Sequence, residues 1–252
     1  MEIDFNRIAV KVGSNVLTRR DGTLDVTRMS ALVDQIAELH KAGIEIILVS
    51  SGAVASGRSE VRPTKKLDSV DQRQLFSAVG QAKLINRYYE LFREHGIPVG
   101  QVLTMKENFS TRRHYLNQKN CMTVMLENGV IPIVNENDTI SVSELMFTDN
   151  DELSGMIATM MGAEALIILS NIDGIYDGNP NDPDSRIIPE ISAETRTELS
   201  KYIQSGKSSF GRGGMLTKCN IARKVAQEGI EVIIANGKRD SILTDLLCNE
   251  KN

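Results

Sequence analysis

The chain has 252 residues, 41% of them hydrophobic and 25% charged, with a net charge of −4. That is material for one large core or two small ones. The acidic balance, the 4% aromatic content and the absence of tryptophan argue against non-specific nucleic-acid binding, which needs basic charge and stacking surfaces.

The opening MEIDFNRIAVKVG carries two acids in its first four residues and no long apolar run, so it does not read as a signal peptide. The longest apolar runs, 46–49 and 165–169, are far short of the roughly 20 residues of a membrane span. Cys121, Cys219 and Cys248 are widely spaced and form no CxxC. A reducing compartment, and so a cytoplasmic protein, is the simple expectation. His40, His95 and His114 are scattered among polar neighbours and read as solvated surface residues, not as a metal site or triad.

Residues 8–12 read as a strand, and 26–41 as a helix with apolar residues at helical spacing that stops at Gly43. A strand follows at 45–49 and runs into Ser50, Ser51 and Gly52. A long helix is expected over 68–95, with Gly80 as a candidate break. Then come a strand at 97–103, a helix at 111–128 and a strand at 130–134. Residues 140–147 are ambiguous and allow a small hairpin. A helix at 149–161 and a strand at 165–169 follow. The polar stretch 176–209 holds one helical piece near 193–204. A helix at 215–228, a strand at 230–235 and a short helix at 240–247 close the chain.

Strands separated by helices of this length predict βαβ units and a mostly parallel sheet. Several strands are apolar on both faces, as a sheet covered on both sides requires. The expectation is a three-layer αβα sandwich. No internal repeat or long linker divides the chain, so residues 1–252 form a single domain in this reading.

In such folds ligands sit at the carboxyl ends of the strands. There the chain places Lys11, Gly13, Ser14 and Asn15; then Ser51 and Gly52; then Asn135 to Asp138; and then Ser170 and Asn171. Asp149, Asn150 and Asp151 open one helix. Gly211, Arg212, Gly213, Gly214 and Met215 lead into another that carries Lys218. Two lysines, glycine loops, acids and amides are what phosphoryl transfer requires. Its transition state spreads negative charge that fixed cations and backbone N–H groups must meet. A helix start adds N–H groups and partial positive charge, and a carboxylate helps to hold Mg2+.

Singly, each piece has a plainer reading. GRGG is more often a flexible surface loop. Asp149–Asp151 is more often a capped helix start. Lys11 is more often a strand-end surface charge, and 135–138 an Asx-rich turn. Their joint placement at strand ends and helix starts favours the functional reading. Gly52–Ser59 nearly matches a P-loop, but Arg58 stands where that motif needs lysine. The SSGA stretch suits a substrate carboxylate instead.

With these motifs in place, the chain resembles the amino acid kinase family, and within it the glutamate 5-kinase branch. The stretches that carry the resemblance are VKVGSNVL (10–17), LVSSGAVASG (48–57), VNENDTIS (134–141), FTDNDELSG (147–155), LSNIDGIY (169–176) and GRGGMLTK (211–218). The resemblance implies that Lys11 and Lys218 flank the transferred phosphoryl group while Asp151 orients both. It gives Ser51, Gly52, Asn135, Asp138, Asp149 and Asn150 to the amino acid. It gives Lys11, Gly13, Ser170, Asn171, Gly211, Arg212, Gly213, Gly214, Met215 and Lys218 to ATP, with Mg2+ near Asp149 or Asp151. The N-terminal half is then mainly the substrate side and the C-terminal half mainly the nucleotide side.

The implied reaction phosphorylates the side-chain carboxylate of L-glutamate and opens proline synthesis. Proline as a feedback inhibitor, a homo-oligomer (dimer or tetramer) and hand-off to glutamyl phosphate reductase come with the resemblance. Neither a nucleic-acid nor a membrane partner does. Asn171 departs from the acid usual at that position, which bears on the nucleotide side. Many bacterial members carry a C-terminal PUA domain; this chain stops at Asn252 and reads as the kinase domain alone. Two alternatives are a kinase for acetylglutamate or a nucleoside monophosphate, and a non-catalytic amino acid sensor. The acids and amides at 135–138 and 149–151 disfavour the first, and the retained Lys11, Asp151 and Lys218 disfavour the second.

Overall fold

The structure is a computed structural model that describes residues 4–141, 147, 149–177, 182–188 and 215–248. Six strands form one sheet: β1 (Arg7–Val12), β2 (Glu45–Ser50), β3 (Val99–Thr104), β4 (Ile131–Glu136), β5 (Ala165–Ser170) and β6 (Glu231–Asn236). Their order is β3-β4-β2-β1-β5-β6, and every pairing is parallel. Parallel neighbours need crossover connections. The helices supply them: α1 (Ser14–Leu17), α2 (Val26–Lys41), α3 (Ala53–Glu60), α4 (Ser69–Glu94), α5 (Glu107–Ser110), α6 (Arg112–Glu127), α7 (Asn150–Met161), α8 (Met215–Ala226) and α9 (Ile242–Leu247).

The period of two along each strand separates the layers. Ile8, Val10, Val12, Ile46, Leu48, Ile167 and Leu169 face one way and pack with α2, α4 and α9 residues such as Leu32, Ile36, Phe92 and Leu243. Ile47 and Val49 face the other way onto Met122, Leu153 and Ile157 of α6 and α7. Ala9, Leu166 and Ile168 meet Ala158 of α7 and Val225 of α8 on that same side. Both faces are therefore dry, which is why the strands read as unbroken apolar runs. The three-layer αβα sandwich expected from the sequence is the architecture found.

Local signals set the helix starts. Asp25, Asp68 and Asp149 are N-caps whose carboxylates accept backbone N–H groups two or three residues on.

The departures from expectation have physical reasons. Helix α4 runs unbroken from Ser69 to Glu94, so Gly80 does not interrupt it. Its role is close packing. A Cβ at Gly80 would lie 1.7 Å from the Ala53 carbonyl oxygen, and one at Gly57 would lie 1.8 Å from that of Phe76. The two glycines let α3 and α4 cross backbone to backbone. Helices α1 and α5 have four residues each, too few to show a period. His40 and His95 are half-buried, and His95 bonds Asp34 at 2.8 Å, so only His114 is the exposed residue expected. The hairpin anticipated at 140–147 falls mostly, and the helical piece at 193–204 entirely, outside the described residues.

Candidate active site

Because all six strands are parallel, the ends of β1, β2, β4 and β5 open on the same edge of the sheet. A cavity of about 580 Å3 lies there, between the starts of α3 and α7, within the usual range for small-molecule sites. Lys11 projects from β1 between β2 and β5, at the register of Val49 and Ile168. Its side chain reaches the first turn of α7, where Asp151 waits.

Asp151 is 1% exposed, Lys11 5% and Lys218 9%. Lys11 Nζ lies 2.6 Å from Asp151 Oδ1. Lys218 Nζ pairs with Asp151 Oδ2. One carboxylate thus holds two ammonium groups that come from opposite ends of the chain. Burial pushes the Asp151 carboxyl up, but the charges of Lys11 and Lys218 outweigh it and hold it below the usual range. Lys11 is shifted down by burial, against the pull of Asp151. Asp149 is shifted up by burial and by the neighbouring charge of Asp151.

Asp149 Oδ1 caps α7 through the N–H groups of Asp151 and Glu152, each at 3.0 Å. Its Oδ2 is buried without a hydrogen-bond partner. Among the described residues, no group of three or more His, Cys, Asp or Glu side chains forms a metal cluster.

On the β2 and β4 side an amide chain crosses the cavity wall. Asn150 Nδ2 donates to Ser51 Oγ at 2.8 Å and to Asn135 Oδ1 at 3.0 Å. Asn135 Nδ2 donates to Gln81 Oε1 at 3.0 Å. Gly52 sits at the N-cap of α3 with φ of +111°, a left-handed conformation that any side chain would strain. The turn it makes brings Gly52, Ala53 and Val54, the start of α3, into the cavity wall. Arg73, from α4, donates from Nε to Asp138 Oδ1 at 2.6 Å and from Nη2 to Glu136 Oε2 at 2.7 Å.

On the β5 side, Ser170 and Asn171 line the cavity, and Gly13 N donates to the Leu169 carbonyl at 3.1 Å. The near-match to a P-loop does not act as one here: the Arg58 guanidinium lies over the Phe76 ring, 5.5 Å from its centroid.

Twelve residues given a role from the sequence line this one cavity: Lys11, Gly13, Ser51, Gly52, Asn135, Asp138, Asp149, Asn150, Asp151, Ser170, Asn171 and Lys218. Gly211, Arg212, Gly213 and Gly214 lie outside the described residues, as does the Met215 side chain. Sequence reasoning missed Arg73 and Gln72, and it named Glu136 and Arg58 without giving either a role; all four also line the cavity. Their only signal is indirect. A strand-end pair such as Glu136 and Asp138, once buried, needs a counter-charge, and no local pattern says that α4 supplies it.

The amino acid kinase family model matches residues 6–236. The chain belongs to the amino acid kinase family. Among its curated relatives, the glutamate 5-kinase of Bacteroides thetaiotaomicron is 84% identical over 98% of this chain and 68% of the relative. That of Chlorobaculum tepidum is 51% identical over 95% of this chain and 65% of the relative. That of Clostridium acetobutylicum is 39% identical over 97% and 91%. The chain spans about two thirds of the length of the first two. The amino acid kinase fold extends to solved structures of low identity. An isopentenyl phosphate kinase matches at TM-score 0.66 and 18% identity, covering 98% of this chain and 97% of its own. The carbamate kinase of Giardia lamblia bound to AMP-PNP matches at 0.66 and 17%, covering 96% of each.

Proposed function

We propose that this chain transfers the γ-phosphoryl group of ATP to the side-chain carboxylate of L-glutamate, giving glutamyl 5-phosphate and ADP as the entry to proline synthesis. The observation that carries the reading is the buried Lys11–Asp151–Lys218 arrangement in a chain whose high-identity relatives are glutamate 5-kinases.

The chemistry follows from charge. The attacking oxygen belongs to a carboxylate, ionised near neutral pH, so no general base is required. Among the described residues no histidine lines the cavity. The difficulty is bringing one anion onto another. Lys11 and Lys218 answer it from two sides of the transferring group, and Asp151 keeps both ammonium groups aimed and separated. The new bond forms between the glutamate oxygen and Pγ as the bond from Pγ to the β-bridging oxygen breaks. ADP leaves with the negative charge, which the lysines stabilise.

The acceptor occupies the β2 and β4 side. Its α-carboxylate meets the N–H groups at the Ser51–Gly52 turn, and its ammonium meets Asn135 and Asp138. Asn150 ties these two walls together. The nucleotide takes the β5 side, at Gly13, Ser170, Asn171 and residues 211–215. On this division residues 1–252 act as one kinase domain, with the substrate in the N-terminal half and the nucleotide in the C-terminal half. The buried, unpartnered Asp149 Oδ2 fits a magnesium ion carried mainly by phosphates, which typically takes only one or two protein carboxylates. Bound there, the ion neutralises phosphate charge. A cytoplasmic homo-oligomer, inhibition by proline and delivery to a reductase extend the same reading.

The test is an acyl-phosphate trap. The purified chain is incubated with Mg-ATP and hydroxylamine, offering L-glutamate, N-acetylglutamate and L-aspartate in parallel. Hydroxamate from glutamate alone is the expected result. Hydroxamate from N-acetylglutamate moves the substrate, and none from any acceptor removes the kinase reading.

A further inference from the structure

Arg73 stands at the end of the cavity away from the lysines. It reaches Glu136 and Asp138 at the carboxyl end of β4. That strand lies two places from β1 in the sheet, about 10 Å across. Glu136 is 4% exposed and Asp138 9%, so two carboxylates are buried within reach of one guanidinium. Glu136 is committed on both oxygens. Oε2 accepts from Arg73 at 2.7 Å, while Oε1 accepts from Ser141 Oγ at 2.6 Å and from the Phe147 N–H at 3.0 Å. It serves as an anchor. The planar fork of Arg73 then spans from that anchor to Asp138, a geometry lysine cannot reproduce.

The charges matter as much as the shape. Among the described residues that meet here, two carboxylates share one guanidinium, an acidic excess that suits an ammonium group. Without Arg73, two buried anions would repel each other, while Gln74 of α4 would still hold the segment after β4 through the Thr139 carbonyl at 2.7 Å.

We propose that Arg73 is a positioning residue for the amino acid acceptor: it holds Asp138 against the Glu136 anchor so that one aligned carboxylate meets the α-ammonium. This rests on the reading of the β2 and β4 side as the amino acid site. Its consequence is a separation of kinetic effects. Arg73 touches neither the lysines nor the β5 side, so its loss weakens acceptor binding and leaves the nucleotide alone. An interaction made equally in ground and transition states appears in KM and not in kcat.

The experiment compares Arg73→Gln and Arg73→Lys with the native chain in the hydroxamate assay, titrating glutamate and ATP separately. For Arg73→Gln the KM for glutamate should rise by about 10- to 100-fold, the range for losing a charge-assisted contact. Its KM for ATP should stay within about twofold, and Arg73→Lys should recover part of the loss. An unchanged or lowered KM for glutamate overturns the proposal. So does a parallel loss of ATP affinity and thermal stability that Arg73→Lys fails to relieve, because that pattern marks a purely structural residue. If the native chain makes no hydroxamate from glutamate, the functional reading fails first and Arg73's role falls with it.

Discussion

The hydroxyl of Tyr88, buried in α4, lies 2.8 Å from the hydroxyl of Ser50 at the end of β2. Ser50 Oγ also lies 3.0 Å from the Ser51 carbonyl oxygen, which can only accept. The single proton of Ser50 therefore goes to Ser51, and Tyr88 is the donor to Ser50. Tyr88 is 2% exposed, and burial pushes its phenol far above the ordinary range, so it donates at every accessible pH. A buried phenol thus fixes the backbone of the proposed substrate turn. Tyr88→Phe removes one hydrogen bond and should lower stability by about 1 kcal/mol, read by chemical denaturation. The KM for glutamate should rise with it and the KM for ATP should not. Equal effects on both substrates would sink the idea.

The crossing of α3 and α4 makes a sharper prediction about stability. Gly80→Ala puts a methyl group 1.7 Å from the Ala53 carbonyl oxygen, and backbone cannot step aside as a flexible side chain can. A helix interior normally gains from this substitution, by up to about 1 kcal/mol. Here it should destabilise the chain by at least the 1–3 kcal/mol typical of overpacking. Gly57→Ala meets the Phe76 carbonyl from the other side of the same contact and should behave alike. A denaturation midpoint at or above the native value for either variant would show that the crossing can relax.

The same two glycines mark what the sequence does and does not say. The strands and long helices were legible because their signals are local: β-branched runs for β1, β2 and β5, helical spacing for α2, and Asp149 before α7. The site was legible because parallel topology carries strand ends to one edge, so Lys11, Ser51, Asn135 and Ser170 had to converge. Gly80 misled because the same residue type breaks an isolated helix and permits a tight crossing; only the partner helix decides between them. Arg73 was invisible for a related reason. It sits among the polar residues of α4, and its function depends on two acids 63 and 65 positions away.

The Asp151 charge also predicts a pH dependence of stability. The native carboxyl is held below its ordinary value of 3.8. A depressed acid stabilises the fold above its unfolded pKa, and that contribution is lost as pH falls through the native pKa. Asp151→Asn removes the contribution at every pH and leaves two buried ammonium groups unpaired. The variant should therefore be the less stable at neutral pH, with the gap closing as the pH drops below about 4. Asp149 runs the other way and in a higher range: its native pKa is raised, so its contribution falls as pH rises from the ordinary 3.8 through the native pKa. Denaturant titrations of both proteins at pH 7, 5 and 3 read the gap directly. A gap constant with pH would mean that the native carboxyl titrates as it does in the unfolded chain, and a gap that widens toward low pH would mean that it is not ionised in the native chain.

Lys218 offers the most direct test of the chemistry. It lies in the first turn of α8 and shares Asp151 with Lys11, so either lysine alone leaves the carboxylate paired. Lys218→Ala should then spare the fold, yet remove one of the two cations that meet the developing charge. The loss of one electrostatic stabiliser costs about 10²–10³ in kcat. The acceptor should still bind, because Asn135, Asp138 and the Ser51–Gly52 turn are untouched, so the KM for glutamate should move little. Lys218→Arg keeps the charge but replaces a compact ammonium with a planar fork. In a site this enclosed it should recover only part of the rate. A drop below tenfold for Lys218→Ala, in a chain with native stability, would assign the phosphoryl group to Lys11 alone. Asp151 would then serve to hold Lys11, with Lys218 as its second counter-ion.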